Sequence, residues 1–266
     1  MKTPITYYGG KQKMLPHILP VIPAHHLYCE PFAGGAAVYF AKPKSEVEVI
    51  NDINEALITF YRVMQKDSGE LIKMVKSTLH SRALHDCAWK IYQNTKDYTD
   101  VEIAWAVWLL CSQGFSGQIS PVWGVDISKN TMCNRINSAK MQFTETLCRR
   151  LENTQVECAD ALHIIKKYDR PETFFYVDPP YYNSDCAHYA GYSLEDFEAL
   201  LDLLSTIKGK FLLSSYPSEV LSRYIGKYGW HSKHFKQTIS VSKSAKTKIE
   251  VLTANYQMEQ TLPLLF

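Results

Sequence analysis

The sequence predicts an α/β protein in which a mostly helical insertion interrupts a sheet. Short apolar segments typical of buried strands alternate with amphipathic segments in both end regions, and helical periodicity dominates the stretch between them. A chain of 266 residues is long enough for a large domain that carries an insertion. We therefore expect residues 1–60 and 151–266 to form the core domain and residues 61–150 to form an inserted domain.

The first region predicts a strand–helix–strand unit. Residues 27–30 (LYCE) and 46–50 (EVEVI) have the pattern of short buried strands, and residues 36–41 (AAVYFA) that of a helix. A further helix is expected over 54–65, with Asn54 as its N-cap. In such sheets ligands bind beyond the carboxyl ends of the strands, so the segments that leave the strands are candidate sites.

The insertion and the second region follow the same logic. Helices are expected within 69–112, and the Gly-, Ser-, Asn- and Pro-rich residues 113–137 predict an irregular loop or hairpin. Beyond the insertion we expect a helix over 161–167 and another over 193–208. Strands are expected in the segments 173–178, 210–215 and 249–256.

Composition excludes several classes of protein. Hydrophobic residues make up 46% and charged residues 21%, which argues against disorder, collagen and coiled coil. No apolar run reaches the ~18–20 residues that span a bilayer, and the N-terminus lacks the apolar core of a signal peptide. Seven cysteines without a C-x-x-C pair argue against a disulfide framework and a zinc site. We expect a cytoplasmic protein with no metal and no membrane partner.

The distribution of charge indicates a polyanionic partner. The formal net charge is only +2, but residues 223–248 hold seven basic side chains and no Asp or Glu. Such segregation predicts a positive face suited to nucleic acid. Scattered solvated lysines explain the same composition equally well.

Two motifs follow predicted strands. In the first, Gly34 and Gly35 permit a tight turn, and Asp52 lies 18 residues after Gly34, the spacing at which a carboxylate receives ribose hydroxyls. As a dinucleotide fingerprint it is incomplete because Tyr39 occupies the place of the third glycine, and a plain structural turn is an equal alternative.

The second motif is Asp178-Pro179-Pro180-Tyr181, directly after the strand TFFYV. The prolines remove two N–H donors, so the neighbouring carbonyls have fewer local partners. A carboxylate, free carbonyls and an aromatic ring suit a planar ring that bears an amine. The structural alternative is a Pro-Pro pair that only ends the strand.

These motifs resemble the Dam-type DNA adenine-N6 methyltransferases of the alpha group. The resemblance rests on YYGGK (7–11), EPFAGGA (30–36), Asp52 and DPPY (178–181) in this order, with QGFSGQ (113–118) and EVLTANY (250–256) as further matches. It covers almost the whole chain and is weakest over 66–112. Two departures are Tyr7, where the family usually has Trp, and Ala36, where glycine is frequent.

The resemblance implies a Rossmann-like methyltransferase sheet with a DNA-recognition insertion, and methyl transfer from S-adenosylmethionine to N6 of an adenine flipped out of duplex DNA. Asp178, Pro179, Pro180 and Tyr181 are then the catalytic residues. The residues implied for the cofactor are Tyr7, Lys11, Phe32, Gly34, Asp52, Asp160 and Asp178. For Asp160, an N-cap role for the helix over 161–167 is an equal alternative.

DNA contacts are expected from two segments. Gln118, Asn134 and Arg135 have side chains able to pair bidentately with base edges. Lys243, Lys246 and Lys248 alternate with hydroxyl residues that suit phosphates, although a mobile surface loop explains this segment too.

Two alternatives to this function remain at this stage. One is an amino-methyltransferase acting on cytosine N4, an RNA base or a protein glutamine, against which the Asp of DPPY speaks. The other is a DNA-binding relative without catalysis, against which the intact motifs speak. Expected partners are double-stranded DNA and a restriction endonuclease of the same system, in a bacterial or phage-infected cell.

Overall fold

The computed structural model describes residues 1–183, 192–239 and 246–259. Its strands are β1 Leu27–Glu30, β2 Val47–Asn51, β3 Thr154–Glu157, β4 Thr173–Val177, β5 Lys210–Ser215, β6 His231–Ile239 and β7 Lys246–Ala254. Its α-helices are α1 Leu15–Ile18, α2 Ala37–Ala41, α3 Glu55–Lys66, α4 Ser68–Ser77, α5 Arg82–Gln93, α6 Asp100–Gln113, α7 Thr131–Gln142, α8 Glu145–Arg149, α9 Ala161–Tyr168, α10 Leu194–Leu204 and α11 Glu219–Tyr228. Within these described ranges, no helix has the length and apolar character needed to cross a membrane.

The strands form one mixed sheet in the order β3-β2-β1-β4-β5-β7-β6. Strand β4 pairs in parallel with β1 and β5, whereas β7 is antiparallel to both β5 and β6. Parallel strands joined through helices and closed by an antiparallel hairpin confirm the predicted α/β class. The elements predicted around 27–30, 54–65, 173–178 and 210–215 are present within a residue or two of their expected ends.

The chain divides into two compact units. The first comprises residues 1–15, 33–43 and 50–159, and the second comprises residues 16–32, 44–49 and 160–266. The first unit therefore holds the predicted insertion together with the glycine turn, and the second holds the Asp178 motif.

Helix α6 forms the centre of the first unit. A capping box fixes its start, because the Thr99 hydroxyl accepts from the Glu102 N–H while the Glu102 carboxylate accepts from the Thr99 N–H. From Ile103 onwards the helix is buried, and α3, α4 and α5 pack against it. Trp108 is fully buried, which fits a core residue better than a base-stacking group.

The prediction for residues 113–137 was wrong for its last seven residues. Residues 115–117 form one turn of 3-10 helix, and Gly114 makes an isolated antiparallel bridge with Trp123, as expected for a loop or hairpin. Residues 131–137, however, belong to α7. Its polar Asn and Ser residues hide a helical pattern, because only Ile136 of this helix is buried.

In the second unit, β4 is buried along its whole length and β5 from its second residue. The basic segment 223–248 contains the end of α11, strand β6 and the start of β7. Neither α11 nor β6 was predicted from the sequence. Ser218 caps α11 by accepting from the Leu221 N–H, a signal that SEV at 218–220 offered.

Candidate active site and nucleic-acid interface

The glycine turn in the first unit is shaped by Tyr7. Gly34 has φ +47°, and a Cβ built there would lie 3.1 Å from Tyr7 Cδ1. A Cβ on Gly35 would lie 2.8 Å from Tyr7 Cβ. The two glycines are therefore needed for the tyrosine to pack on the turn, as well as for the turn itself. The structure thus brings two of the predicted cofactor residues, Tyr7 and Gly34, into contact.

Asp52 ties this turn to the start of α3. Its Oδ2 accepts from the Gly34 N–H at 2.9 Å and its Oδ1 from the Asn54 N–H at 3.0 Å. Burial raises the pKa of Asp52, and these backbone N–H bonds oppose that shift. The carboxylate is half-buried, and each of its oxygens can accept more than one hydrogen bond. It can therefore receive a ligand hydroxyl without releasing the turn.

Further side chains of the first unit support the turn. The Tyr61 hydroxyl donates to the Gly34 carbonyl at 2.7 Å, and the Asn54 side chain caps α3 as predicted by accepting from the Leu57 N–H. Lys11 is buried, and its Nζ donates to the Gly9 carbonyl at 3.1 Å. The lysine thus lies within its own YYGGK segment, and its predicted role towards the cofactor carboxylate stays a prediction.

Two positions of the glycine turn, Ala36 and Tyr39, hold other residues where glycine is expected. Ala36 adopts φ 51°, a left-handed conformation that costs an L-residue about 1–2 kcal/mol and is free for glycine. Tyr39 binds Arg150 where a dinucleotide fingerprint would have glycine. The Arg150 guanidinium lies 3.9 Å from the ring centroid and donates to the Tyr39 hydroxyl and carbonyl at 2.8 and 2.9 Å. Tyr39 therefore anchors α2 to the segment after α8.

In the second unit, Asp178 follows β4 at the carboxyl edge of the parallel strands. The Tyr181 hydroxyl lies 3.2 Å from Asp178 Oδ1 and 3.1 Å from Ser214 Oγ, and it donates to Glu250 Oε1. Ser214 Oγ donates to the same glutamate oxygen at 2.6 Å. The Tyr181 ring packs edge-on against Tyr216, with 4.4 Å between centroids. The motif residues Asp178 and Tyr181 are therefore brought together on one hydrogen-bond network.

Strand register places these groups on one face of the sheet. Tyr28 pairs with Phe174, so Glu30 and Tyr176, each two residues further, share a face. Tyr176 pairs with Leu212 and Ser214 with Leu252, which puts Ser214 and Glu250 on that face too. Burial, followed by the charges of Asp178, Glu30 and Glu250, raises the pKa of Tyr176 well above its usual value.

Three members of this face were not predicted from the sequence: Glu30, Ser214 and Glu250. Glu30 is 2% exposed and Glu250 6% exposed, and Tyr28 donates to Glu30 Oε2 at 2.8 Å. The available signal was an acid inside a strand that otherwise reads as buried, because such an acid needs a partner.

Phe32 and Asp160, the other predicted cofactor residues of the second unit, are placed differently. Asp160 caps α9 by accepting from the His163 N–H at 3.0 Å, so its alternative N-cap role is present. Phe32 meets Tyr192 edge-on, with 6.4 Å between centroids. The Tyr192 hydroxyl has no hydrogen-bond partner among the described residues, and burial, then the charges of Asp196 and Asp160, raises its pKa. Tyr192 is a further candidate that the sequence analysis missed.

Comparison with known protein families identifies the activity to which these residues belong. The model of the D12 class N6 adenine-specific DNA methyltransferases matches residues 7–258. The chain belongs to this class. The match confirms the predicted family and the predicted activity, adenine-specific DNA methylation.

Curated relatives agree with this assignment. This D12-class chain is 27% identical over 282 residues to the Type II methyltransferase M1.LlaDCHI of Lactococcus lactis subsp. cremoris, covering 93% of each chain. It is 27% identical over 207 residues to the Type II methyltransferase M.MjaIII of Methanocaldococcus jannaschii, covering 66% of this chain and 68% of the relative. It is 23% identical over 218 residues to the Type II methyltransferase M.CviBI of Paramecium bursaria Chlorella virus NC1A, covering 80% and 82%.

The predicted base readers of this D12-class enzyme lie in the first unit and differ in their availability. Asn134 is exposed on α7, and Gln118 is half-buried after the 3-10 turn. Arg135 instead donates through Nη2 to the Ser112 and Gly114 carbonyls at 2.7 and 3.2 Å, which ties α7 to the end of α6. Burial lowers its pKa. Arg135 can read a base only if it gives up these bonds.

The loop before α7 also exposes apolar side chains, which the sequence analysis did not single out. Phe115 is 60% exposed and Ile127 fully exposed, and the exposed group further includes Val122 and Val125. Beneath them, the buried Gln113 accepts from the Ser81 N–H and the Trp123 indole and donates to the Leu79 carbonyl. The loop is thus held at its base while its apolar side chains face solvent, a pattern typical of an interaction surface.

The predicted phosphate-binding lysines are only partly described. Lys243 lies outside the described residues, and Lys246 is described through its backbone at the start of β7. Lys248 Nζ donates to the Tyr216 hydroxyl at 2.7 Å. Other basic side chains have local partners: Arg223 pairs with Glu198 at 2.5 Å, and Lys233 donates to the Met258 carbonyl. The role of the three lysines in DNA binding stays a prediction.

Proposed function

We propose that this D12-class enzyme transfers the methyl group of S-adenosylmethionine to N6 of an adenine flipped out of duplex DNA. The observation that carries the proposal is the carboxylate of Asp178, positioned directly after β4 beside Tyr181. The family assignment identifies adenine as the base and N6 as the atom that is methylated. Our proposal adds three points to this assignment: S-adenosylmethionine is the methyl donor, duplex DNA is the substrate, and the adenine is flipped out of the duplex.

The described residues fit S-adenosylmethionine. In the first unit, Asp52 keeps acceptor capacity for ribose hydroxyls while it holds the glycine turn. In the second unit, Phe32 offers an apolar ring. The buried Tyr192 hydroxyl can donate and accept a hydrogen bond, and it has no hydrogen-bond partner among the described residues. Tyr7, Lys11 and Asp160 complete the proposed cofactor residues. When bound, S-adenosylmethionine supplies an electrophilic methyl group.

Asp178 would activate the adenine amine by accepting a hydrogen bond from it. The N6 lone pair is delocalised into the ring, which makes the amine a poor nucleophile. Hydrogen bonds from the amine to the Asp178 carboxylate and the Pro179 carbonyl favour a tetrahedral nitrogen whose lone pair is available. The carboxylate also stabilises the positive charge that develops on nitrogen, a state that the free substrate lacks. Tyr181 would stack on the extruded base, which offsets part of the few kcal/mol that flipping costs.

Residues 61–150 would recognise the DNA sequence. Asn134 and Gln118 can pair with base edges, and the exposed Phe115 and Ile127 can contact thymine methyl groups or an opened base step. Lys243, Lys246 and Lys248 would contact phosphates. Several of the relatives carry names of Type II methyltransferases, which supports a modification enzyme that works beside a restriction endonuclease of the same specificity.

One experiment tests the proposed function. The enzyme is offered methyl-labelled S-adenosylmethionine with duplex DNA, single-stranded DNA, RNA or protein, and the labelled nucleosides are then separated. We expect label in N6-methyladenine from duplex DNA and, for Asp178→Ala, a turnover about 10²-fold lower with cofactor and DNA binding retained. Label in N4-methylcytosine, or an Asp178→Ala turnover above about a tenth of wild type, would contradict the proposal.

A further inference from the structure

The Tyr181 hydroxyl stands between two carboxylates that compete for its single proton. It lies 3.2 Å from Asp178 Oδ1, and it donates to Glu250 Oε1. Ser214 Oγ, 3.1 Å from the same hydroxyl, also donates to Glu250 Oε1, at 2.6 Å. A phenol has one proton to donate, so the proton that goes to Glu250 is withheld from Asp178.

We infer that Glu250 is a positioning residue for Asp178: by accepting the hydrogen bond of the Tyr181 hydroxyl, it keeps that proton from the Asp178 oxygen that faces the phenol, so that this oxygen is a stronger acceptor for the adenine amine. The inference rests on the proposed role of Asp178 as the acceptor for that amine. Glu250 itself touches neither substrate nor reacting atoms, and it acts only through Tyr181.

The surroundings of Glu250 hold it in this role. It lies on β7, its side chain is 6% exposed, and Ser214 fixes Oε1 from the neighbouring strand β5. Tyr181 is held on its other side by Tyr216, whose ring packs edge-on at 4.4 Å. Burial, followed by the charges of Asp178 and Glu250, raises the pKa of Tyr181 well above its usual value, so the phenol keeps its proton and remains a donor.

Loss of Glu250 would redirect the proton. Without Oε1, the Tyr181 hydroxyl still has Asp178 Oδ1 as an acceptor, at 3.2 Å. Ser214, which also loses its acceptor, can then donate to the Tyr181 oxygen at 3.1 Å and orient the phenol proton towards Asp178. Asp178 would gain a neutral donor on the oxygen that faces the phenol and become a weaker acceptor for the adenine amine.

A double-mutant cycle separates this mechanism from a purely structural one. Glu250→Ala is expected to lower kcat by about 10²-fold, the size of effect seen when one positioned hydrogen-bond partner is lost from a catalytic site. Tyr181→Phe should lower kcat by less than about tenfold, because the ring stays and the competing proton is removed. The informative variant is the double Tyr181→Phe/Glu250→Ala, which we expect to be at least about tenfold more active than Glu250→Ala alone.

Two controls accompany the cycle. Ser215→Ala removes a buried hydroxyl from the opposite face of β5, where no hydrogen-bond partner is present among the described residues, and it should leave kcat unchanged. The dissociation constants for S-adenosylmethionine and DNA should be equal in all four members of the cycle. If Glu250→Ala does not fold, Glu250→Met fills the same volume with a poor acceptor, and the cycle is run with that variant.

The outcomes are distinct. Recovery in the double variant supports the inference. Losses that multiply, or a Glu250→Ala enzyme with wild-type kcat, would overturn it. Asp178→Ala is measured in the same assay: if that variant keeps its turnover, the proposed role of Asp178 fails, whereas an inactive Asp178→Ala enzyme with multiplying losses in the cycle overturns the role of Glu250 alone.

Discussion

Asp52→Ala is the substitution whose effects can be worked out most fully from the structure. The carboxylate accepts from the backbone N–H groups of Gly34 and Asn54 at 2.9 and 3.0 Å, and we propose that it also accepts from a ribose hydroxyl. A hydrogen bond to a charged group contributes about 1.5–3 kcal/mol. Loss of the ribose contact alone should therefore raise the cofactor dissociation constant by about 10- to 150-fold.

Calorimetry on the apo enzyme measures this change, and a ligand analogue separates its causes. S-adenosylhomocysteine and an analogue without ribose hydroxyls are titrated into wild type and Asp52→Ala. If Asp52 binds the ribose, removal of the hydroxyls weakens binding to wild type but costs little further in the variant, because the contact is already absent. DNA affinity should not change. Asp67→Ala is the matched control, since Asp67 is exposed in the same unit and its side chain makes no cap hydrogen bond.

Two results would refute this reasoning. Equal cofactor affinity of Asp52→Ala and wild type would exclude a ribose contact. Hydroxyl removal that weakens binding by the same factor in both enzymes would show that Asp52 acts only by holding the glycine turn. In either case the thermal stability of the apo variant should fall, because two backbone N–H groups lose their acceptor.

Three further predictions concern other parts of the chain. Both ring nitrogens of the buried His85 lack a partner among the described residues, and burial lowers the pKa of His85. The folded state is therefore most stable above the unfolded-state pKa of about 6.5, where His85 is neutral, and it loses stability as the pH falls towards the folded-state pKa. Chemical denaturation from pH 7.5 to 5 should show a smaller loss of unfolding free energy in His85→Leu than in wild type. Alanine at Gln118 and Asn134 should relax site preference across a panel of mismatched duplexes more than it weakens random-duplex binding, and an unchanged preference would place base reading elsewhere. The variant in which alanine replaces Lys243, Lys246 and Lys248 together should have a slope of log K against log salt that is flatter by up to roughly 3, equally for cognate and random duplexes. An unchanged slope would mean that the three lysines face solvent.

Features that depend on neighbouring residues in the chain could be predicted from the sequence. The strand at 27–30 and the N-cap Asn54 follow from local pattern, and both are present. The Asp178 motif was recognisable because its parts are consecutive. Where the local pattern was weak, prediction was less reliable: the polar face of α7 concealed a helix inside a segment expected to be irregular.

Features that depend on distant partners could not be predicted. Arg150 is a basic residue of the insertion predicted to recognise DNA, yet it is 6% exposed and lies over Tyr39, 111 residues away. Arg149 next to it pairs with Glu145 at 2.7 Å. Arg150 is therefore not available to DNA in this arrangement, whereas Arg149 is exposed and shares its charge with a carboxylate partner. Charge counting along a sequence therefore overestimates a positive face wherever a basic side chain has a structural partner.

The partners of the buried carboxylates in the second unit, Glu30 and Glu250, also could not be predicted from the sequence, and these carboxylates bear on the proposed function. Alternation within β7 puts Glu250 and Leu252 on one face, but only the register with β5 shows that this face is shared with Ser214. A buried carboxylate is costly unless hydrogen bonds compensate for lost water. Glu30 is compensated by Tyr28, and Glu250 by Ser214 and Tyr181. An apolar residue would fill either position at lower cost, so stability alone does not account for two buried acids beside Asp178. Their presence is intelligible if hydroxyl protons at this sheet edge must be directed to particular oxygens, which is the role that we infer for Glu250.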